Sequence, residues 1–375
     1  MLELVESQFE ELNAFKMKTV ISSEIDIEWG DIFSQLTSKS TKTIVFIDPI
    51  VHSLHASKFH DIEKCNDRVQ IVPTKVNETT KDLDSLIRVL ERFENLSIGR
   101  RDDFIYAVGG GALLDLVSLA ANLYRRGVPV VKVPTTLLGC VDASIGIKTG
   151  LNFLNRRNRL GSYYLNYSVL LDTQFLTSLD SNLIREGLGE IFKIALIKSS
   201  KLFELLEANK SELFNSEFYN RLDGQKIIGL SIQLMLEELH DNPTETNLKR
   251  CVDFGHSFSP LVEMYSIEKD GVEAIPHGIA VGNDCVITSI ISNHRGVFSK
   301  EDLNRVISLA EHIDFRKNHY LHQSVEVMWS SFADMTKHRG GDQNLPVPTA
   351  IGTFDFIQDL SYSELEKAVL ENMGE

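Results

Sequence analysis

The sequence predicts an α/β domain built on a Rossmann-like parallel sheet, followed by a mostly α-helical domain. Three observations carry that expectation. Short apolar runs alternate with helix-periodic segments along the N-terminal half. A run of three glycines stands between one of those strands and the next helix. After about residue 178, strand signals give way to helical periodicity. The sequence therefore divides into an α/β domain over 1–178 and a helical domain over 179–375.

Lys42–Asp48 (KTIVFID) is almost continuously apolar and reads as a strand buried on both faces. Val69–Pro73 is a shorter candidate strand. Lys81–Phe93 places Leu83, Leu86, Ile87 and Leu90 at helical spacing. Asp103–Val108 (DFIYAV) reads as a strand running into Gly109-Gly110-Gly111, and Leu113–Tyr124 as the helix that follows. Val128–Val133 is a further strand, stopped by Pro134. The stretch VDASIGIKTGLNFLNRRNRLGSYY is rich in glycine and asparagine and reads as a loop. Leu183–Ala208, Leu222–Leu239, Ile279–Asn293 and Lys300–His312 then carry helical periodicity.

At 375 residues the chain is long enough for two substantial cores. Acidic residues number 53 and basic ones 38, giving a net charge of −15. So acidic a surface argues against nucleic-acid or anionic-membrane partners, while leaving room for a locally basic pocket and a small anionic substrate. Cys65, Cys140, Cys251 and Cys285 are scattered without a CxxC pair and read as free core thiols in a reducing compartment. The acidic N-terminus does not read as a signal peptide, and no stretch approaches the roughly 20 apolar residues of a membrane span. The expected location is cytoplasmic.

Glycines between a strand and a helix let the backbone approach a ligand closely. The exposed amides and helix dipole there favour a phosphate. GGGALLD is not the GxGxxG fingerprint, but Thr135 and Thr136 close the next strand at the same sheet edge, where α/β folds bind ligands. Together they favour a dinucleotide. Glu190, His256 and His277 are residue types that suit a catalytic zinc site with an open position, although their wide separation cannot show convergence. Both histidines adjoin a glycine, which permits close packing. Lys193 falls one helical turn after Glu190, a spacing equally suited to a plain ion pair. Lys148, Arg156, Arg157 and Arg159 concentrate positive charge in an acidic protein, as a solvated loop or a phosphate grip would.

In this order and spacing the motifs resemble the sugar phosphate cyclases, the superfamily of 3-dehydroquinate synthase. The resemblance runs from about Lys42 to Ile357. Its blocks are GGGALLD, RRGVPVVKVPTTLLGCVDASIGIKTGLN, NRLGSYY, GLGEIFK, FGHSFSP and PHGIAV. Within the superfamily, LYRRGVP, KTGLNF, RNRLGSYY, VDFGHSFSPLVEM and HRGGDQNLPVP are most similar to the 2-epi-5-epi-valiolone synthases. Pro260 and Asp253 stand where dehydroquinate synthases usually carry histidine and asparagine, which favours the valiolone type. Pro260 is tolerable if Ser259 caps the next helix and proline occupies its first turn.

The resemblance implies NAD and a divalent metal, zinc or cobalt, as cofactors, and a homodimer acting on a sugar phosphate. Glu190, His256 and His277 match the metal ligands. Gly110, Gly111, Asp115, Thr135 and Thr136 match NAD-contacting strand ends. Glu78 and Lys81 match a further nucleotide-contacting pair, and Asp48 is expected at the adenosine ribose. Asp142, Lys148, Asn158, Lys193 and Lys249 match active-site polar positions. Arg157 stands for a usual lysine, and Arg126 matches an arginine that reaches the neighbouring subunit's phosphate site. Ile279 replaces a usual glutamate, and Lys337, His338 and Arg339 are candidates for the C-terminal phosphate-side residue. The implied reaction converts sedoheptulose 7-phosphate to 2-epi-5-epi-valiolone in secondary metabolism. It proceeds through transient oxidation by NAD, phosphate elimination, re-reduction and intramolecular aldol closure. 2-epi-Valiolone, a gadusol-type cyclitol or 3-dehydroquinate are alternative products, and a metal-dependent alcohol dehydrogenase is the rival activity.

Overall fold

The apolar runs of the N-terminal half fold into strands. In a computed structural model, which describes residues 3–8, 16–22, 42–65, 68–154, 156–271, 274–316 and 319–374, the chain forms two compact units. The first comprises Met1–Asp180 with Tyr219–Gln225 and Leu239–Thr244. The second comprises Ser181–Phe218, Lys226–Glu238 and Glu245–Glu375. Cys140, Cys251 and Cys285 are buried free thiols, whereas the Cys65 side chain lies outside the described residues, as does most of the N-terminal stretch. Among the described residues no helix is long and apolar enough to cross a membrane.

The first unit holds a seven-stranded sheet in the order β1-β2-β9-β6-β5-β3-β4. Its strands are β1 (Glu3–Gln8), β2 (Lys16–Ser22), β3 (Lys42–Ile47), β4 (Val69–Pro73), β5 (Asp103–Gly109), β6 (Val130–Pro134) and β9 (Ser168–Asp172). Only the β1–β2 pair is antiparallel. Successive residues of β3 enter opposite cores. Ile44 and Phe46 pack with the helices Leu83–Asn95 and Gly111–Leu123, while Val45 and Ile47 pack with Phe59, Tyr106 and Phe175. Burial on both faces is why β3, β5, β6 and β9 show no polar alternation. From β3 the chain steps outward to β4 and then returns to β5 on the other side, so the topology reverses between β3 and β5. Asp48 and the glycine turn close those two strands. Open α/β sheets bind ligands at such a reversal.

The stretch read as a loop after Asp142 is instead a β-hairpin, β7 (Lys148–Phe153) against β8 (Arg156–Tyr163). Most of β8 is exposed, so its polar composition carried no strand signal. At Gly161 an added Cβ would run into the Thr149 carbonyl across the hairpin, which fixes glycine there.

Among the described residues, the regular elements of the second unit are helices apart from the hairpin β10 (Leu345–Ala350) and β11 (Thr353–Ile357). The segment expected as one helix over Leu183–Ala208 is two, Ser181–Lys198 and Ser200–Ala208. Ser199 breaks it by turning extended and accepting the Leu202 amide, as an N-cap does. At the centre lies His277–His294, whose residues Gly278 to Ser292 are all buried. It packs against Ser181–Lys198, Ser259–Asp270, Lys300–Ile313 and Tyr362–Met373. A helix surrounded on all sides has no polar face to display.

Candidate functional site

The first unit gathers polar side chains near the strand ends. Lys81, only 2% exposed, donates to Asp115 Oδ2 at 3.0 Å and Asn158 Oδ1 at 2.8 Å. It also lies 3.4 Å from Glu78 Oε2. Arg157 Nε stands 3.2 Å from Glu78 Oε1, so the lysine-to-arginine departure is paired with that carboxylate. Asn152, which the sequence reading did not single out as a site residue, ties the group together. It donates to Glu78 and accepts the Asn158 amide. Asn158 takes a left-handed backbone at φ 48°, a conformation asparagine tolerates better than most residues. Five of the expected residues, Glu78, Lys81, Asp115, Arg157 and Asn158, thus share one hydrogen-bonded network.

The glycine turn behaves as its position suggests. No side chain caps the helix that starts at Gly111. A Cβ on Gly110 would press on Thr136, and one on Gly111 on Ala143. Thr135 is buried, and Thr136 Oγ1 accepts the Gly139 amide. Asp48 caps the helix Pro49–Leu54 through the Ile50 amide. Asp142 sits in the π-turn Gly139–Ala143. Lys132, another residue sequence reasoning missed, braces that turn by donating to the Ala143 and Gly146 carbonyls. Burial pushes its ammonium down to about 8, partly offset by Asp115 and Asp142. Lys148 and Arg126 are exposed, and Arg126 also has a left-handed backbone at φ 66°.

The second unit brings Glu190, His256 and His277 together, with one donor atom from each within 4.8 Å of the others. Glu190 and Lys193 lie on the helix Ser181–Lys198, His256 in the turn before Ser259–Asp270, and His277 at the start of the central helix. Glycine permits the convergence. A Cβ on Gly278 would overlap the Glu186 backbone, and one on Gly189 the Gly278 backbone. The two helices therefore touch one residue away from Glu190 and His277.

His277 Nε2 lies 3.1 Å and His256 Nε2 3.5 Å from Glu190 Oε1. On their far sides, His256 Nδ1 faces the Phe254 carbonyl at 3.2 Å and His277 Nδ1 faces the Glu263 carboxylate at 3.0–3.1 Å. A carbonyl can only accept, so the His256 ring proton belongs on Nδ1. Burial, and then the Lys193 charge, push His256 down from its ordinary value, which leaves its Nε2 unprotonated at neutral pH. Lone pairs then converge on a carboxylate oxygen, an arrangement that calls for a cation. In a tetrahedral site with bonds of about 2.0–2.1 Å the donors stand about 3.3 Å apart, close to these spacings. Burial would push Glu190 up, but the Lys193 ammonium and both imidazoles hold its carboxyl well below the usual range. Lys193 pairs with Oε2, leaving Oε1 to the imidazoles. The residues present fit a divalent metal.

Two buried acids behind these ligands were not singled out from sequence. One is Glu263. The other is Asp284, whose carboxylate accepts the Phe258 amide at 2.6 Å, the Ser259 amide at 3.0 Å and the Thr288 hydroxyl at 3.2 Å. Ser259 was expected to cap the helix it begins; its hydroxyl instead donates to the Gly255 carbonyl, and Asp284 supplies the cap. Pro260 does occupy the first turn. Asp253 accepts from Arg250 at 2.6 Å and from Arg339 at 2.8 Å, and Glu245 also pairs with Arg250, so carboxylates meet these two guanidinium groups where an asparagine would bring no charge. Arg339 is buried in that pair, whereas Lys337 and His338 are exposed. Lys249 lies on an exposed segment, its ammonium 4.7 Å from the centre of the Phe356 ring. Ile279 is buried in the central helix.

Comparison with known proteins shows the family of the chain. The sequence profile described as "3-dehydroquinate synthase N-terminal" matches residues 71–186, and that described as "3-dehydroquinate synthase C-terminal" matches 187–337. The chain is 36% identical over 352 residues to a 2-epi-5-epi-valiolone synthase of Streptomyces hygroscopicus subsp. jinggangensis, covering 91% of this chain and 82% of that one. It is 39% identical over 304 residues to a 2-epi-5-epi-valiolone synthase of Streptomyces albus, covering 80% and 73%. The solved structure of the S. hygroscopicus subsp. jinggangensis 5008 synthase with NAD+ and Zn2+ bound superposes with a TM-score of 0.89 at 34% identity, covering 98% of this chain and 99% of that one.

Proposed function

Since the chain belongs to the 3-dehydroquinate synthase family of sugar phosphate cyclases, we propose that it converts sedoheptulose 7-phosphate to 2-epi-5-epi-valiolone and inorganic phosphate. The observation that carries the reading is the meeting of His256 Nε2 and His277 Nε2 at one oxygen of Glu190. It is supported by the names of the relatives and by the NAD+ and Zn2+ in the solved relative. Asp253 and Pro260, both of the valiolone type, favour this product over 3-dehydroquinate.

Glu190, His256 and His277 would hold zinc or cobalt. Asp48, Glu78, Lys81, Gly110, Gly111, Asp115, Thr135 and Thr136 would bind NAD. When bound, the metal ion would polarise an oxygen of the substrate, and the nicotinamide would take up and return one hydride. Lys148, Arg157 and Asn158 would grip the phosphate by charge-assisted hydrogen bonds, with Arg126 of a second copy in a homodimer. Asp142 and Lys249 would orient substrate hydroxyls. The Lys193 ammonium, seated on Glu190 Oε2, would hold a proton beside the ligating carboxylate. Most of this contribution is orientation and fixed charge.

The test is incubation with sedoheptulose 7-phosphate, NAD+ and Zn2+ or Co2+. Phosphate and a cyclitol, identified by NMR, are expected in equal amounts without accumulation of NADH. Net NADH would point to a dehydrogenase instead, and the absence of both phosphate and cyclitol would defeat the reading.

A further inference from the structure

We propose that Glu263 is a positioning residue for the metal: it fixes the His277 ring and strengthens Nε2 as a ligand. The inference rests on the metal reading above. Glu263 is 3% exposed, and a buried carboxylate is costly unless it is bonded to a partner. Both of its oxygens lie on the far nitrogen of His277, at 3.1 Å and 3.0 Å. A carboxylate there fixes the proton on Nδ1 and turns Nε2 toward Glu190. It also draws the Nδ1 proton toward itself, which raises electron density at Nε2. Among the described residues, the neutral Phe254 carbonyl takes the corresponding place on His256. The two imidazoles are therefore unequal, with His277 the stronger donor.

The surrounding bonds hold Glu263 in register with its target. Ser266, one helical turn further on and fully buried, donates to the Glu263 carbonyl at 3.1 Å and accepts the Ile275 amide at 2.8 Å. Ile275 is two residues before His277. The helix that carries Glu263 is thus tied to the segment that delivers the ring.

The experiment is Zn2+ affinity by chelator competition in the full chain, for wild type, Glu263→Gln and Glu263→Ala. It is paired with the Co2+ absorption spectrum and with the melting temperature of the metal-free proteins. Outer partners of ligating histidines typically account for about 10–100-fold in metal affinity. Glutamine keeps an acceptor for Nδ1 but loses the charge, so about 10-fold weaker binding and a shifted Co2+ spectrum are expected, with metal-free melting near wild type. Alanine removes both and is expected near 100-fold. Wild-type affinity and spectrum in both variants would overturn the inference, even if alanine lowered the melting temperature; that pattern would mean a purely structural bond. Should alanine not fold, the glutamine result decides. Tight stoichiometric binding by wild type alongside unchanged variants defeats this inference alone. A wild-type protein that takes up no stoichiometric metal defeats it together with the metal reading.

Discussion

Gly278→Ala tests whether close helix contact makes the metal site. An added Cβ at residue 278 would land inside the Glu186 backbone of the neighbouring helix, and no rotamer change can relieve an overlap with backbone. Non-bonded carbons rest about 3.5–4 Å apart, so the helices must part by on the order of 1 Å or more. Overpacking of this kind costs about 1–3 kcal/mol, and the backbone neighbour puts this case at or above the upper end. The same movement pulls His277 from Glu190, now 3.1 Å apart. Ligand distances tolerate about 0.2 Å, so Zn2+ affinity should fall sharply, and misplacement by about 1 Å is expected to cost on the order of 100-fold in turnover. Gly229→Ala is the control. Gly229 also lies in a helix but has nothing within 4 Å of an added Cβ, so alanine there should stabilise by about 0.5–1 kcal/mol. Thermal unfolding of the metal-free proteins and Zn2+ competition read both effects. If Gly278→Ala melted and bound zinc like wild type, glycine contact would not be what assembles the ligands.

Other expectations follow from individual bonds. Asp284→Ala strands two buried amides at about 1–3 kcal/mol each, and in a unit of this size melting should fall by at least about 4 °C; a shift under about 2 °C would show that the cap is dispensable. Lys81→Met removes the ammonium shared by Asp115 and Glu78, while Glu78 keeps its pair with Arg157. Because the Glu78 and Asp115 side chains are 32% and 19% exposed and can partly rehydrate, the loss should be on the order of 2 kcal/mol rather than the ~3–5 kcal/mol of a fully buried pair. NAD+ titration should show weakened binding, and unchanged affinity would remove Lys81 from the nucleotide site. For Glu364, burial pushes the carboxyl up, but bonds from Arg295 and Ser361 outweigh it and bring it to about 2. That stabilisation is present above the unfolded value near 4.5 and is lost as pH falls toward 2. Glu364→Gln should flatten the stability profile over that window, and an unchanged slope between pH 4.5 and 2 would contradict the assignment.

Strands β3, β5 and β6 were legible because burial on both faces leaves a nearly unbroken apolar run, as in Ile44-Val45-Phe46-Ile47. The glycine turn was legible because little else fits between a strand and a helix. The β7–β8 hairpin was not, since an exposed strand such as Arg156–Tyr163 needs no apolar residues. Strand β10 carries Pro346 and Pro348, which read as breakers. Periodicity could not pair Glu190 with histidines 66 and 87 residues away; the family resemblance supplied that, and the glycines beside the histidines were the local hint. Glu263 and Asp284 escaped because a buried carboxylate looks in sequence like any acid on a helix surface. Only the partners, His277 in one case and two amides in the other, reveal its work.

The cap that Asp284 provides has a consequence for how the protein handles its ion. Asp284 sits on the helix that begins with His277, yet it bonds the amides just after His256. Glu263, on the helix after His256, bonds His277 in return. Each ligand-bearing segment is fastened by the other, without recourse to the cation. Unlike a zinc finger, which unravels when stripped, this pocket should keep its shape through dialysis against a chelator. One ion could then be exchanged for another, zinc for cobalt, in protein that never refolds.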